Sequence, residues 1–199
     1  MKRLLCLLYI AGALLGAALH GQITPLSVTG SGTYQNSASL LTDGVTPAES
    51  TYWQDLPNVW WNGTEPSFTI DLGAAFRLSG IIWSVDNNDS YRMEVSADGS
   101  LFSDLFTIGI DDGNVQVSPG GMDTMSSDPA SAEFVSSMAF AQPVTAQYLR
   151  VSAVGGDGSY AIGEVTAYGT AIPEPSTYAA LFGAATLAFA LWRRRAGRR

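Results

Sequence analysis

The sequence predicts an all-β sandwich for the middle of this 199-residue chain. Three observations carry that prediction. Short segments alternate apolar and polar side chains with a period of two. Turn residues separate them. Between 22 and 170 no apolar stripe of helical period runs long enough to make a packed helix.

In Ser67 to Leu72 the apolar residues Phe68, Ile70 and Leu72 share one face, as a half-buried strand requires. Tyr91, Met93 and Val95 do the same in the next patterned run. Ile81–Val85, Tyr148–Val154 and Ile162–Tyr168 complete the set. Asp98-Gly99, Asp112-Gly113 and Gly155-Gly156-Asp157-Gly158 supply turns, because glycine reaches backbone angles other residues avoid. Gly109 to Ser131 is rich in Gly, Ser and Asp without clear alternation, and is predicted to be a long loop. About 150 residues suffice for one domain with a real core.

The two ends read differently. Lys2 and Arg3 precede an uncharged apolar run from Leu4 to Leu19, followed by His20, Gly21 and Gln22. That is the layout of a secretory signal peptide, assigned to 1–21, with small residues for the peptidase after Ala18 or Gly21. An uncleaved anchor is the competing reading; the run is short of the ~20 residues a span needs. At the other end Ile172-Pro173-Glu174-Pro175-Ser176 leads into fifteen uncharged residues, Tyr178 to Trp192. Arg193, Arg194, Arg195, Arg198 and Arg199 follow. The predicted domains are therefore 1–21, 22–170 and a tail at 171–199, with a transmembrane helix at 178–192 and a basic end at 193–199 held in the cytoplasm. A buried core helix is the alternative, and it leaves five arginines without acidic partners.

Residues Ile172 to Arg199 resemble the PEP-CTERM sorting signal of exosortase-processed bacterial proteins, through Pro173, Glu174, Pro175, Ser176, the apolar helix and the arginines in that order. The resemblance implies recognition near Pro173–Pro175, cleavage by an exosortase-type membrane protease, and delivery to the cell surface or extracellular matrix. Signal peptidase is the other processing partner, and the membrane is met only through the tail. Independently of any resemblance, two prolines around Glu174 hold the backbone extended, the form a protease binds.

All 18 Asp and Glu fall between Gln22 and Pro175. Against them stand only Arg77, Arg92 and Arg150, leaving that stretch at −15. Such a surface argues against nucleic acid, whose phosphates need Lys and Arg, and suits divalent cations or neutral glycans. The one cysteine, Cys6, and the one histidine, His20, lie at the leader. The exported part thus has no disulfide, no thiol chemistry and no Ser-His-Asp or histidine-metal site. It is not expected to be an enzyme; chemistry by carboxylates alone, as in glycoside hydrolysis, is the remaining exception.

Thr42-Asp43-Gly44, Thr51-Tyr52-Trp53, Phe68 to Gly73, Tyr91 to Gly99, Gln147 to Val151 and Ile162 to Gly169 fall in the order found in the discoidin, or coagulation factor 5/8 type C, domain. The chain is similar to that family over roughly Leu26 to Gly169. The resemblance implies a galactose-binding-like jelly roll, with a structural Ca2+ held by the carboxylates of Asp43 and Glu164 and by oxygens of Thr51, Val45 and Leu40. Calcium requires several hard oxygen ligands of this kind. The alternative is that Asp43 caps a turn and Glu164 is solvated.

Trp60 and Trp61 are adjacent in a segment leading into a strand, so at most one can face the core. The other is a candidate platform for a sugar ring. Trp53 and Trp83 are expected in the core. Asp86-Asn87-Asn88-Asp89 is read as a polar turn. The predicted function is a surface or matrix protein that binds extracellular polysaccharide. The alternatives are a structural envelope protein without a specific ligand and a carboxylate-dependent glycan hydrolase.

Overall fold

The computed structural model describes residues 21–113, 121–173 and 175–196. The predicted signal peptide up to His20, together with Glu174, Arg198 and Arg199, lies outside the described residues. Nine strands are described: β1 (Gly21–Ile23), β2 (Ser27–Ser31), β3 (Val59–Asn62), β4 (Ser67–Asp86), β5 (Ser90–Ser96), β6 (Ser103–Ile108), β7 (Met122–Ser126), β8 (Val144–Gly155) and β9 (Ser159–Ala171). All the ladders between them are antiparallel. The predicted all-β class holds.

β4 is the organising strand. Its first part, Ser67 to Asp71, pairs with β2 on one side and β8 on the other. Its second part, from Phe76, pairs with β9 and β7. Between the two the register breaks. The corner is set by Asp71, whose carboxylate accepts the Gly73 N–H at 2.7 Å, with Gly73 at φ +81°. A left-handed residue at a corner is where glycine is needed. One strand thus serves both layers of a jelly roll.

The layers meet through aromatic side chains. Trp61 on β3 packs against Phe68 on β4 at 5.2 Å between ring centroids, and Trp83 against Phe106 on β6 at 5.2 Å. Tyr91 and Tyr160 lie edge to face between them. Phe68, Ile70, Tyr91 and Met93 are fully buried, as their alternation predicts. On the outer side Arg150 grips Glu94 with two 2.8 Å bonds and lies over the Phe102 ring. That guanidinium holds the Glu94 carboxyl below its usual range.

One expectation about the elements differs from the structure. The segment predicted as loop over Gly109–Ser131 contains β7, which pairs with β4 from Ile82↔Ser126 to Asp86↔Met122. Its buried methionines, Met122 and Met125, are three apart, so no period of two announces the strand. At the C-terminus a helix, α1, runs Pro175–Ala196, but among the described residues no helix is long and apolar enough to cross a membrane. The uncharged stretch predicted to span at 178–192 rises only about 22 Å, against a hydrocarbon core of ~30 Å.

The chain enters and leaves at one end of the sandwich. β1 pairs with the end of β9 through Gly21↔Gly169, and the Ile172 N–H still donates to the Ala75 carbonyl at 2.9 Å. The β4–β5 and β8–β9 turns lie at the opposite end.

Candidate functional site

That opposite end, the tip, gathers polar groups from stretches far apart in sequence. The β4–β5 turn, Asp86 to Asp89, is not solvated as its composition suggests: Asp86 is 2% exposed and Asp89 fully buried. Asp89 Oδ1 accepts the Asp157 N–H at 3.0 Å, and the Tyr91 hydroxyl reaches its Oδ2 at 3.5 Å. Asp86 Oδ1 accepts the Gly121 N–H at 3.1 Å. The Asn88 amide donates to Asp157 Oδ2 at 3.0 Å. Gly156 permits the Asp89 contact, since a Cβ there would collide with the Asp89 carboxylate.

Burial pushes Asp86 up to about 6, and the charge of Asp157 adds to it. Burial likewise pushes Asp89 up to about 7, with Asp86 and Asp157 repelling its charge in turn. Taking carboxylates out of water disfavours their charged form, and like charges nearby disfavour it further.

Above these groups lies a cavity of about 220 Å³ lined by Ser50, Tyr52, Trp53, Asp86, Asn88, Gly121 and Asp157. The stretch from Ala48 to Trp53 forms a pinned edge of it: the Met122 N–H donates to the Thr51 carbonyl at 2.9 Å and the Ser50 N–H to the Met122 carbonyl at 2.8 Å. The Thr51 hydroxyl closes this edge by donating to the Ala48 carbonyl at 2.6 Å.

The cavity has an aromatic wall. Tyr52 is 55% exposed. Its ring lies 5.8 Å from that of Trp53, which stands edge to face on Trp60 at 5.3 Å. Trp53, expected in the core, is half-buried and lines the cavity, whereas Trp83 is fully buried. Trp61 is 1% exposed and belongs to the core; Trp60 is half-buried behind Trp53. Alternation along β3 sends the two neighbours to opposite faces. The signal that sequence reasoning missed was Tyr52-Trp53 together with the later Asp86–Asp89 run, two features that only the fold brings side by side. A larger groove of about 630 Å³ lies over Ser79–Ile82 and Ser126–Ser131, with Phe140 and Tyr168 on its walls; its one acidic side chain is Asp128.

A second pair of carboxylates sits beside β9. The Gly44 N–H donates to Glu164 Oε2 at 3.2 Å, and Asp43 Oδ1 accepts the Val45 N–H at 2.9 Å. Glu164 is 4% exposed. Burial pushes it up to about 7, and the Asp43 charge contributes. Of the five residues expected to hold calcium, these contacts bring Asp43 and Glu164 together. Thr51 is tied to Ala48 and Met122, Val45 is exposed, and Leu40 is half-buried against the core. Among the described residues no group of three or more His, Cys, Asp or Glu could hold a metal ion.

Residues 171–195 match the family model of the PEP-CTERM protein-sorting motif. The tail is a PEP-CTERM motif. It marks an exported protein sorted to the cell surface, and implies exosortase processing. No curated protein matches the chain in sequence. Among solved structures, a fucose binding module of Streptococcus pneumoniae, SpX-3, shares its fold at TM-score 0.50 and 15% identity, over 74% of this chain and 97% of that one. The CBM32 module of AlyQ in complex with 4,5-unsaturated mannuronic acid aligns at TM-score 0.49 and 19% identity, over 74% and 98%. A truncated AlyQ with CBM32 and alginate lyase domains aligns at TM-score 0.47 and 19% identity. That alignment takes in 80% of this chain and about a third, 36%, of the AlyQ chain.

Proposed function

We propose that the exported sandwich is a binding module, not an enzyme, which holds extracellular polysaccharide in its tip cavity after sorting by the PEP-CTERM tail. The observation that carries this reading is the juxtaposition of Tyr52 and Trp53 with Asp86, Asn88 and Asp157 around one cavity. Sugar rings have apolar faces that pack on aromatic rings and hydroxyls that bond to carboxylates and amides; sites of this kind combine an apolar wall with a few placed polar groups. A glycan array probed with the full chain tests it. Binding that is lost in Trp53→Ala supports the reading; no binding to any glycan, the producing cell's own polysaccharide included, overturns it.

Hydrolysis is the second reading, favoured by two carboxyls of raised pKa near one cavity. Against it, Asp89 is fully buried with both oxygens engaged and does not line the cavity. Release of reducing ends from a bound glycan would favour it.

Two further parts belong to the proposal. A Ca2+ between Asp43 and Glu164 would relieve the repulsion of two neighbouring carboxylates and tie the loop to β9; it fits their chemistry, with remaining ligands supplied by backbone oxygens. Before processing, α1 would hold the chain at the membrane, its arginines snorkelling to the cytoplasmic face and the bilayer thinning to match a short apolar stretch.

A further inference from the structure

The negative charge of the tip has no counterpart among the described residues around it. Asp86 lines the cavity, is 2% exposed, and is acted on by the N–H groups of Gly121 and Asn87 and by the charge of Asp157; no cation is among them. Behind it Asp89 is met by Asp157, Asp86 and Tyr91. The arginines of the sandwich are placed elsewhere. Arg150 and Arg92 are taken up by Glu94 and Asp104, and Arg77 pairs with Thr170 on β9 near the end where the chain leaves. Asn88, which lines the same cavity, adds an orphaned acceptor: its Oδ1 is buried without a hydrogen-bond partner.

A buried carboxylate without a counter-charge, an acceptor without a donor and an aromatic wall together define what would complete them. The missing partner has several N–H or O–H donors, a positive charge and a flat apolar face. A metal ion satisfies the charge, yet it leaves Tyr52 and Trp53 unused. A uronate brings a further negative charge to a site without a cation.

Resting on the reading of the tip as a glycan site, we infer that its ligand is a polysaccharide carrying free amino groups, with a protonated amino sugar seated between Asp86 and Asp157 and its ring against Trp53. The ammonium donates three hydrogen bonds, enough for the two carboxylates and the Asn88 oxygen. Charge-assisted bonds of this kind are stronger than those a neutral acetamide makes.

The test is calorimetric titration of the full chain with a glucosamine tetramer and with the N-acetylglucosamine tetramer of the same linkage, beside a panel of neutral oligosaccharides. The expected result is binding of the amine about tenfold tighter or more, as close charge pairs at interfaces give. Asp157→Asn and Asp86→Asn, each checked for folding by circular dichroism, should remove that preference, so that the two tetramers bind alike. Equal affinity of the wild-type chain for both tetramers, or a preference that survives in both variants, overturns the inference. Binding of neutral glycans alone also overturns it and leaves the glycan reading standing. Binding of no glycan overturns both.

Discussion

The Asp157 N–H donates to the buried Asp89 carboxylate at 3.0 Å, tying the β8–β9 turn to the β4–β5 turn across the tip. Asp89→Ala leaves that N–H and the Tyr91 hydroxyl without their acceptor. Losing a buried partner costs about 1–3 kcal/mol. Gly156→Ala should be at least as damaging, because its Cβ would collide with Asp89 from a backbone at φ +138°. Urea unfolding checks both; wild-type midpoints would show that the tip is not built on this contact.

The same carboxyls predict a pH dependence. Asp86 and Asp89 titrate at about 6 and about 7 in the folded chain, from an ordinary value of 3.8. The folded state therefore binds more protons than the unfolded one between those values, and stability falls as pH rises through that window. The contribution is complete below the unfolded value and gone above the folded one. Glu164 titrates in the same direction, so Asp86→Asn with Asp89→Asn should flatten the slope in part. The melting temperature, measured in chelator across the range between the ordinary and the raised values, checks the sign. A melting temperature that rises with pH there would contradict it.

Aromatic residues separate binding from stability. Tyr52→Ala, at an exposed position, should change stability by no more than about 0.5 kcal/mol while weakening glycan binding. Trp61→Ala empties the core and should cost about 3–5 kcal/mol. Unfolding curves and titrations on the two variants give the comparison. Equal effects on both properties would mean that Tyr52 is not a binding residue.

Calcium should raise the melting temperature of metal-stripped protein. Binding to the folded state alone stabilises by about 2.7 kcal/mol at a hundredfold excess over Kd, and magnesium should do less because it demands a tighter octahedron. Asp43→Ala should abolish the shift. Scanning calorimetry with calcium and with chelator reads it; identical curves would leave Asp43 and Glu164 as a loop contact only.

Processing should leave the fold intact. The last described sheet hydrogen bond is that of Ile172, and the described side chains of α1, such as Phe182 and Leu187, are exposed. Mature protein lacking Tyr178 to Arg199 should thus melt with the full chain. Intact mass from the native host identifies the product. Substituting Glu174 should block the step and leave export unchanged; a main product that retains the arginines would refute processing.

The sequence by itself determined the β class, the buried faces of Ser67–Leu72 and Tyr91–Val95, and the sorting tail. Each of these is local: alternation is read within a single short segment, and Pro173, Pro175 and the arginines are contiguous with the helix they flank. Pairing Asp43 with Glu164 came from a resemblance, since a whole sandwich of chain separates them. What only the tertiary structure decided is the tip. Asp86-Asn87-Asn88-Asp89 has the composition of a solvated turn, and nothing local distinguishes it from one. Its burial comes from Gly121, Gly156 and Asp157, which arrive from other loops through the antiparallel register of β4, β7, β8 and β9. Trp53 reads as a core residue for the same reason: an aromatic residue in a short segment is apolar in either place, and only the packing of Trp60 behind it leaves its other side facing the cavity.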